Sequence, residues 1–179
     1  VVASDVFEGV SSLSIAFADS ASNPGETAVA TLDSSAVTID LTPPTLPVVS
    51  IVSSNEADTA RANAGDTITL TIAASEALTL PTVSIAGNSA DTITGVGAET
   101  PGPSFTEYTA TYTVVASEVS EGVSSLSIAF EDSASNPGVT RTSVMDGSAV
   151  TIDLTPPTLS AVSIVSSNEA DTARANAGD

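Results

Sequence analysis

The stretch Thr67-Ile68-Thr69-Leu70-Thr71-Ile72 alternates hydroxyl and apolar side chains without interruption. Successive side chains of a β-strand point to opposite faces, so this segment has one apolar face when it is extended. The same alternation occurs in residues 107–115, where apolar side chains including Tyr108 and Tyr112 alternate with threonines. Both segments are therefore predicted to be β-strands that bury one face.

Shorter segments of the same kind lie on both sides of these two strands. They are found around 49–52, 83–85, 91–94, 126–130 and 150–154. About seven short strands separated by turn residues predict an all-β fold of immunoglobulin-like antiparallel β-sandwich domains. The sequence lacks the cysteine pair and the buried tryptophan of antibody domains, so the prediction concerns the architecture alone.

The chain contains a long internal repeat. Residues 1–66 align without a gap with residues 114–179, and 54 of the 66 positions are identical because only 12 differ. The period of 113 residues is that of an autonomous domain rather than of a solenoid repeat. The sequence is therefore interpreted as a window onto a tandem array of domains.

The boundaries between these domains are predicted from proline. Residues 41–45 and 154–158 both read Leu-Thr-Pro-Pro-Thr, and paired prolines restrict the backbone to extended conformations. We interpret both segments as short, semi-rigid linkers. The chain then consists of the C-terminal part of one repeat (1–44), a complete repeat (45–157) and the start of the next repeat (158–179).

Composition excludes several classes of function. The chain has no Cys, His, Trp or Lys, which rules out a thiolate nucleophile, a zinc finger and a Ser-His-Asp triad. Its 22 acidic and 3 basic residues give a formal net charge of −19, which argues against binding to nucleic acid or anionic membranes. No apolar run is long enough for membrane insertion. Since no cleft is implied and no general base near neutral pH is present, we expect neither an enzyme nor a small-molecule substrate.

Several motifs together resemble the bacterial immunoglobulin-like repeats of giant Gram-negative surface adhesins. The motifs that carry this resemblance are Gly65-Asp66-Thr67-Ile68-Thr69-Leu70-Thr71, Ala74-Ser75-Glu76-Ala77-Leu78, Tyr108-Thr109-Ala110-Thr111-Tyr112-Thr113, Asp132-Ser133-Ala134-Ser135-Asn136 and Thr151-Ile152-Asp153-Leu154-Thr155-Pro156-Pro157. The resemblance implies an extracellular spacer at the bacterial cell surface that supports adhesion or biofilm formation. It also implies that the partners are neighbouring repeats of the same chain and that calcium stiffens the junctions between them.

The topology of a sandwich predicts which acidic residues meet at a junction. The loops after the second and sixth strands lie at the end of a domain that faces the preceding repeat, so Asp40 is expected near Glu76 and Asp132. A cluster of carboxylates repels itself, and a hard cation with several oxygen ligands such as Ca²⁺ relieves that repulsion. The predicted ligands at this junction also include Asp5, Glu8 and Asn136, and those at the opposite end of the complete repeat are Glu118, Glu121 and Asp153.

Simpler interpretations of these acidic residues remain open. They could be solvated loop residues that keep a secreted protein soluble, with Asp66 or Asp132 closing turns. The segment 55–58, Asn-Glu-Ala-Asp, is a second candidate cation site but also has the sequence of an Asx-type turn. Arg61 is expected to form a surface ion pair with one of the nearby acids.

Two functions follow from these observations. The first is a structural spacer module stiffened by calcium at interdomain junctions. The alternative is an immunoglobulin-like ligand-binding domain that contacts a surface partner through its loops. Near-identical copies favour the spacer, because repetition sets length, whereas a domain that binds a receptor need occur only once.

Overall fold

A computed structural model describes residues 7–97 and 104–178 of the chain. These residues form β-strands and no helix, so none of them belongs to a helix that could cross a membrane. The strands are β1 (Gly9–Val10), β2 (Thr38–Ile39), β3 (Val48–Ser53), β4 (Arg61–Ala62), β5 (Thr67–Leu78), β6 (Thr82–Ile85), β7 (Asn88–Ser89), β8 (Thr92–Val96), β9 (Phe105–Thr113), β10 (Gly122–Val123), β11 (Leu126–Ala129) and β12 (Thr151–Ile152).

The two alternating segments form the centre of the first sheet. This sheet has the order β3-β5-β9-β8, and all of its neighbouring strands are antiparallel. Ile68 of β5 lies opposite Tyr112 of β9, and Ile72 lies opposite Tyr108. All four side chains are buried, as the alternation predicts. One face of this sheet therefore packs into the core.

The second layer is built from two three-stranded sheets, β11-β6-β7 and β10-β12-β4. Two residues between β10 and β11 join them, because the Ser124 amide donates to the Val150 carbonyl at 2.8 Å and the Ser125 carbonyl accepts from Ala86 at 2.8 Å. Leu126 and Ile128 of β11 are buried while Ala129 is exposed, which confirms the predicted register of this strand. The chain is thus an all-β sandwich, as predicted.

Two features of the strands depart from the sequence-based expectation. β12 pairs in parallel with β4, a strand that the sequence analysis does not predict, and β12 is limited to Thr151–Ile152. β5 continues to Leu78, beyond the alternating residues, because its pairing with β9 is interrupted after Ala73 and resumes at Leu78. The four residues between these points have no apolar alternation, so their inclusion in a strand depends on β9.

The hydrophobic core lies within the predicted complete repeat. Its buried members are drawn from both layers and run from Leu46 to Ile152. The linker before this core is also packed, because Pro44 and Leu46 are buried. The core members are Leu46, Val49, Ile51, Ala62, Ile68, Leu70, Ile72, Leu78, Val83, Ile85, Tyr108, Ala110, Tyr112, Val114, Leu126, Ile128, Phe130, Val150 and Ile152.

The flanking copies expose the residues that the complete repeat buries. In residues 7–44 β1 pairs with β2, and Ile15 is 57% exposed although its counterpart Ile128 is 0% exposed. The described residues after 158 contain no strand, and Ile164 is 97% exposed against 6% for Ile51. The difference arises because the strands that pair with these positions in the complete repeat, β6 for Ile128 and β5 for Ile51, belong to residues 67–85, which occur once in the chain.

Candidate metal centre

Three carboxylates meet where residues 7–44 join the sandwich. Asp40 follows β2 shortly before Pro43, Glu76 lies in the interrupted part of β5, and Asp132 follows β11. One carboxylate oxygen of each residue lies within 4.8 Å of the other two. The structure thus brings together the three residues that sandwich topology places at this junction.

The interruption in β5 places Glu76 beside the linker. The chain pairs with β9 at Ala73 and again at Leu78, so the residues between them leave the regular ladder. Ser75 uses this freedom to bind Thr45: its amide donates to the Thr45 carbonyl, and its hydroxyl accepts from the Thr45 amide, both at 2.9 Å. The end of β5 also bridges to Asp132 at Leu78. Glu76 is therefore held between the linker and the loop after β11.

Asp132 is a buried carboxylate whose own loop holds it in the charged form. It is 1% exposed. Its Oδ1 accepts from the amides of Ala134 at 2.8 Å and Asn136 at 2.9 Å, and its Oδ2 accepts from the Asn136 side chain at 2.8 Å. Burial acts to raise the pKa of Asp132, but the hydrogen bonds from Asn136 and Ala134 outweigh burial and the pKa is lowered. Asp132 therefore keeps its negative charge at the junction.

Glu76 is affected in the opposite way. Partial burial raises its pKa, and the negative charges of Asp40, Asp132 and Glu8 raise it further. No ion pair in the described ranges includes a member of the cluster, because Arg61 and Arg174 pair elsewhere and Arg141 donates to the Leu46 carbonyl at 3.4 Å. The three carboxylates thus form a site of concentrated negative charge.

The other residues predicted at this junction have different positions. Asn136 donates from its side chain to the Asp40 carbonyl at 3.0 Å, so it crosses the junction. Glu8 is exposed but close enough to act on the pKa of Glu76. Asp5 lies outside the described residues. Four of the six predicted residues thus form or bind the cluster, and a fifth borders it.

Thr42 is a part of this junction that the sequence analysis missed. Its hydroxyl donates to Glu8 at 2.7 Å, and its amide donates to Asp40 Oδ1 at 3.1 Å. The identical pair Thr155 and Glu121 forms the same hydroxyl contact at 2.6 Å in the second copy. No signal in the sequence singles out this pair, because the two copies align without a gap and nearly every pair of residues keeps its separation in both.

The three acids predicted at the opposite end of the complete repeat do not converge in the same way. Glu121 accepts from Thr155, Asp153 accepts from the Thr155 amide at 3.2 Å, and Glu118 approaches the Tyr112 hydroxyl at 3.4 Å. The group formed by Asp40, Glu76 and Asp132 is the one set of three close carboxylates found in residues 7–97 and 104–178.

The second candidate segment, residues 55–58, is an Asx-type turn. Asn55 Oδ1 accepts from the amides of Ala57 at 3.0 Å and Asp58 at 3.2 Å. Asn55 also donates from its side chain to Asp66 at 2.8 Å. Arg61 lies 3.6 Å from Asp58 and 3.9 Å from Asp153, which confirms the predicted surface ion pair. These contacts close the loop between β3 and β5.

The dimensions of the cluster fit a calcium ion. Ca²⁺ binds oxygen at 2.3–2.6 Å, so two oxygens on one ion are separated by at most about 5 Å. The 4.8 Å limit for the three carboxylates falls within this span. The donors are all hard oxygens, and exposed Glu8, backbone carbonyls and water could complete the six to eight ligands that the ion takes. Asp40, Glu76 and Asp132 are therefore the residues of this junction that could hold a hard divalent cation.

Comparisons of the chain with protein-family models, with curated proteins and with solved structures found no match.

Proposed function

We propose that this chain is a structural spacer from an extracellular bacterial adhesin, in which calcium bound between repeats stiffens the array. The observation that carries the proposal is the composition of the carboxylate cluster. Asp40 belongs to one copy of the repeat, whereas Glu76 and Asp132 belong to the next. A cation bound by all three would connect two domains rather than stabilise one.

The charges supply the physical reason for an ion. Three carboxylates within 4.8 Å of one another repel, and this repulsion adds to burial, the larger cause, in raising the pKa of Glu76. Without a counter-ion, the repulsion favours any movement that separates Asp40 from the sandwich. Bound Ca²⁺ would attract all three carboxylates and outweigh their mutual repulsion, so it would fix the angle between the two domains.

A modest affinity suits this role. Extracellular calcium modules bind with Kd of about 10⁻⁴–10⁻³ M, which the calcium of many external fluids saturates. Only three carboxylates form the centre, and two of them are half-buried, so tight binding is not expected. The array would be stiffer outside a cell than where calcium is scarce.

The placement at a bacterial surface is supported by the sequence. The motifs resemble adhesin repeats, and the repetition of one unit within the chain is expected of a spacer, whose length depends on the number of repeats. A net charge of −19 keeps such an array well solvated and resists association between neighbouring chains. Cell adhesion or biofilm formation is the role that such a spacer would support, by holding an adhesive domain away from the cell.

A calcium titration followed by small-angle X-ray scattering tests the proposal. Millimolar Ca²⁺ should make the 179-residue chain more extended and reduce the spread of its shapes, and chelation should reverse the change. Asp40→Asn should weaken this response by removing one charge of the cluster. A chain whose scattering does not respond to Ca²⁺ would contradict the stiffened spacer and favour a loop-mediated binding module.

Asp153→Asn is the matched control. Asp153 is the counterpart of Asp40: it follows β12 as Asp40 follows β2 and precedes the equivalent pair of prolines, but it belongs to no cluster of three carboxylates in the described ranges. Its contact with Arg61 is a partly exposed ion pair of little energetic value. The Asp153 variant should therefore respond to Ca²⁺ as the parent chain does. Equal loss of response in the two variants would show that the ion binds elsewhere.

A further inference from the structure

The loop after β11 occurs twice in the chain with the same sequence and the same geometry. Asp19 and Asp132 each begin the sequence Asp-Ser-Ala-Ser-Asn. In the first copy, Asp19 accepts from the Asn23 amide at 2.9 Å and from the Asn23 side chain at 2.8 Å. In the second copy, Asp132 accepts from the Asn136 amide at 2.9 Å and from the Asn136 side chain at 2.8 Å. The loop is therefore a rigid turn that its own sequence specifies.

One hydrogen bond distinguishes the two copies. The Asn136 side-chain nitrogen also donates to the Asp40 carbonyl at 3.0 Å. A side-chain amide carries two N–H donors, and Asn136 uses one on Asp132 and the other across the junction. Both partners are acceptors, which fixes the orientation of the amide. Asn23 is exposed, and its side chain bonds only within its own loop among the described contacts.

We propose that Asn136 is a latch between repeats that acts before any ion binds. It connects the backbone of Asp40 in one repeat to the carboxylate of Asp132 in the next. The latch is uncharged, so it can hold the junction closed where three carboxylates repel. It is also a positioning residue, because it keeps the Asp40 carboxylate within reach of Glu76 and Asp132. This second role rests on the calcium function proposed above, whereas the latch itself does not.

The other contacts of the junction explain why the side-chain amide of Asn136 is sufficient to restrain the linker. Ser75 already clamps Thr45, on the far side of Pro43-Pro44, through two bonds of 2.9 Å. The prolines between Thr45 and Asp40 have restricted backbone angles, so few rotations remain to be fixed. The bond from Asn136 to Asp40 restrains these rotations at the other end of the linker. A single hydrogen bond in water changes such an equilibrium by roughly 2- to 10-fold.

Distance measurements between spin labels test the latch. The chain has no cysteine, so Ser12→Cys and Ser89→Cys, both at exposed positions, provide one label on each side of the junction. In EDTA, Asn136→Ala should lower the ratio of closed to open junctions roughly 2- to 10-fold and so broaden the distance distribution. Asn23→Ala removes the same local bond to an aspartate but no bond across the junction, so it should leave the distribution unchanged.

Two further measurements separate this inference from the calcium proposal. Asn136→Leu keeps the approximate size of the side chain and removes both donors without adding a charge to the cluster, so it should broaden the distribution in EDTA even if the alanine variant unfolds. In millimolar Ca²⁺ the distributions of the parent chain and the variants should narrow if the cluster binds the ion. No broadening in EDTA for either Asn136 variant with an intact sandwich would overturn the latch. A failure of Ca²⁺ to narrow any distribution would overturn the calcium proposal and leave the latch standing.

Discussion

Replacement of Ile128 by Ala should lower the free energy of unfolding of the sandwich by about 2–5 kcal/mol. Ile128 is 0% exposed at the centre of β11, where it lies opposite Val83 on one side and Arg141 on the other. The change removes three carbon atoms, worth about 0.8 kcal/mol each in transfer free energy. The rest of the loss comes from the cavity, because β6 on one side and the bridged segment at Arg141 on the other limit the collapse of the site.

Ile15 provides a matched control within the same chain. It occupies the same place in the same local sequence, Leu-Ser-Ile-Ala-Phe, and bridges to Ala28 as Ile128 bridges to Arg141. It is nevertheless 57% exposed. Since less than half of the side chain is covered, Ile15→Ala should cost less than about 1 kcal/mol and leave no closed cavity.

Urea unfolding followed by tyrosine fluorescence measures the difference. The chain has two tyrosines and no tryptophan, and both tyrosines are buried in β9, so the signal reports on the sandwich alone. The Ile128 variant should unfold at a lower urea concentration with an unchanged slope, and the Ile15 variant should unfold close to the parent chain. Equal shifts for the two variants would refute the assignment of β11 as the core strand and of residues 7–44 as an open copy.

Three further outcomes follow from the same contacts. Glu76 has a raised pKa, so protonation of its side chain should stabilise the junction in EDTA as the pH falls through that pKa toward 4.5, and deprotonation should destabilise it as the pH rises. Scattering profiles measure this dependence, and Glu76→Gln should abolish it. Gly138→Ala should cost about 1–3 kcal/mol in a denaturant melt, because its methyl group would overlap a buried phenylalanine ring, whereas Gly25→Ala meets an exposed ring that is free to move. Amide hydrogen exchange should be much faster in residues 13–17 than in 126–130, and equal protection would contradict the open state of the first copy.

The sequence alone determines the local structure of this protein. The alternation in residues 67–72 fixes which face of β5 is buried, because the side-chain period of an extended strand is two. The aspartate and asparagine of the Asp-Ser-Ala-Ser-Asn loops form the same turn in both copies, since the partners lie four residues apart. The convergence of Asp40 with Glu76 and Asp132 was also predictable, because sandwich topology sends the ends of alternate strands to the same pole.

Only the tertiary structure decides which segments distant in sequence come into contact, within the sandwich and across the junction between the copies. Residues 74–77 have no pattern that marks them as a strand interruption, and their position depends on where β9 resumes its pairing. The parallel contact of β4 with β12 joins segments about 90 residues apart, which no local signal encodes. Ile15 and Ile128 have the same neighbours in sequence but differ in burial. Asn23 and Asn136 form the same type of turn, but only Asn136 donates a hydrogen bond across the junction, to the Asp40 carbonyl. Burial and contact across a junction depend on which other segments are present to cover a surface, and local sequence carries no information about them.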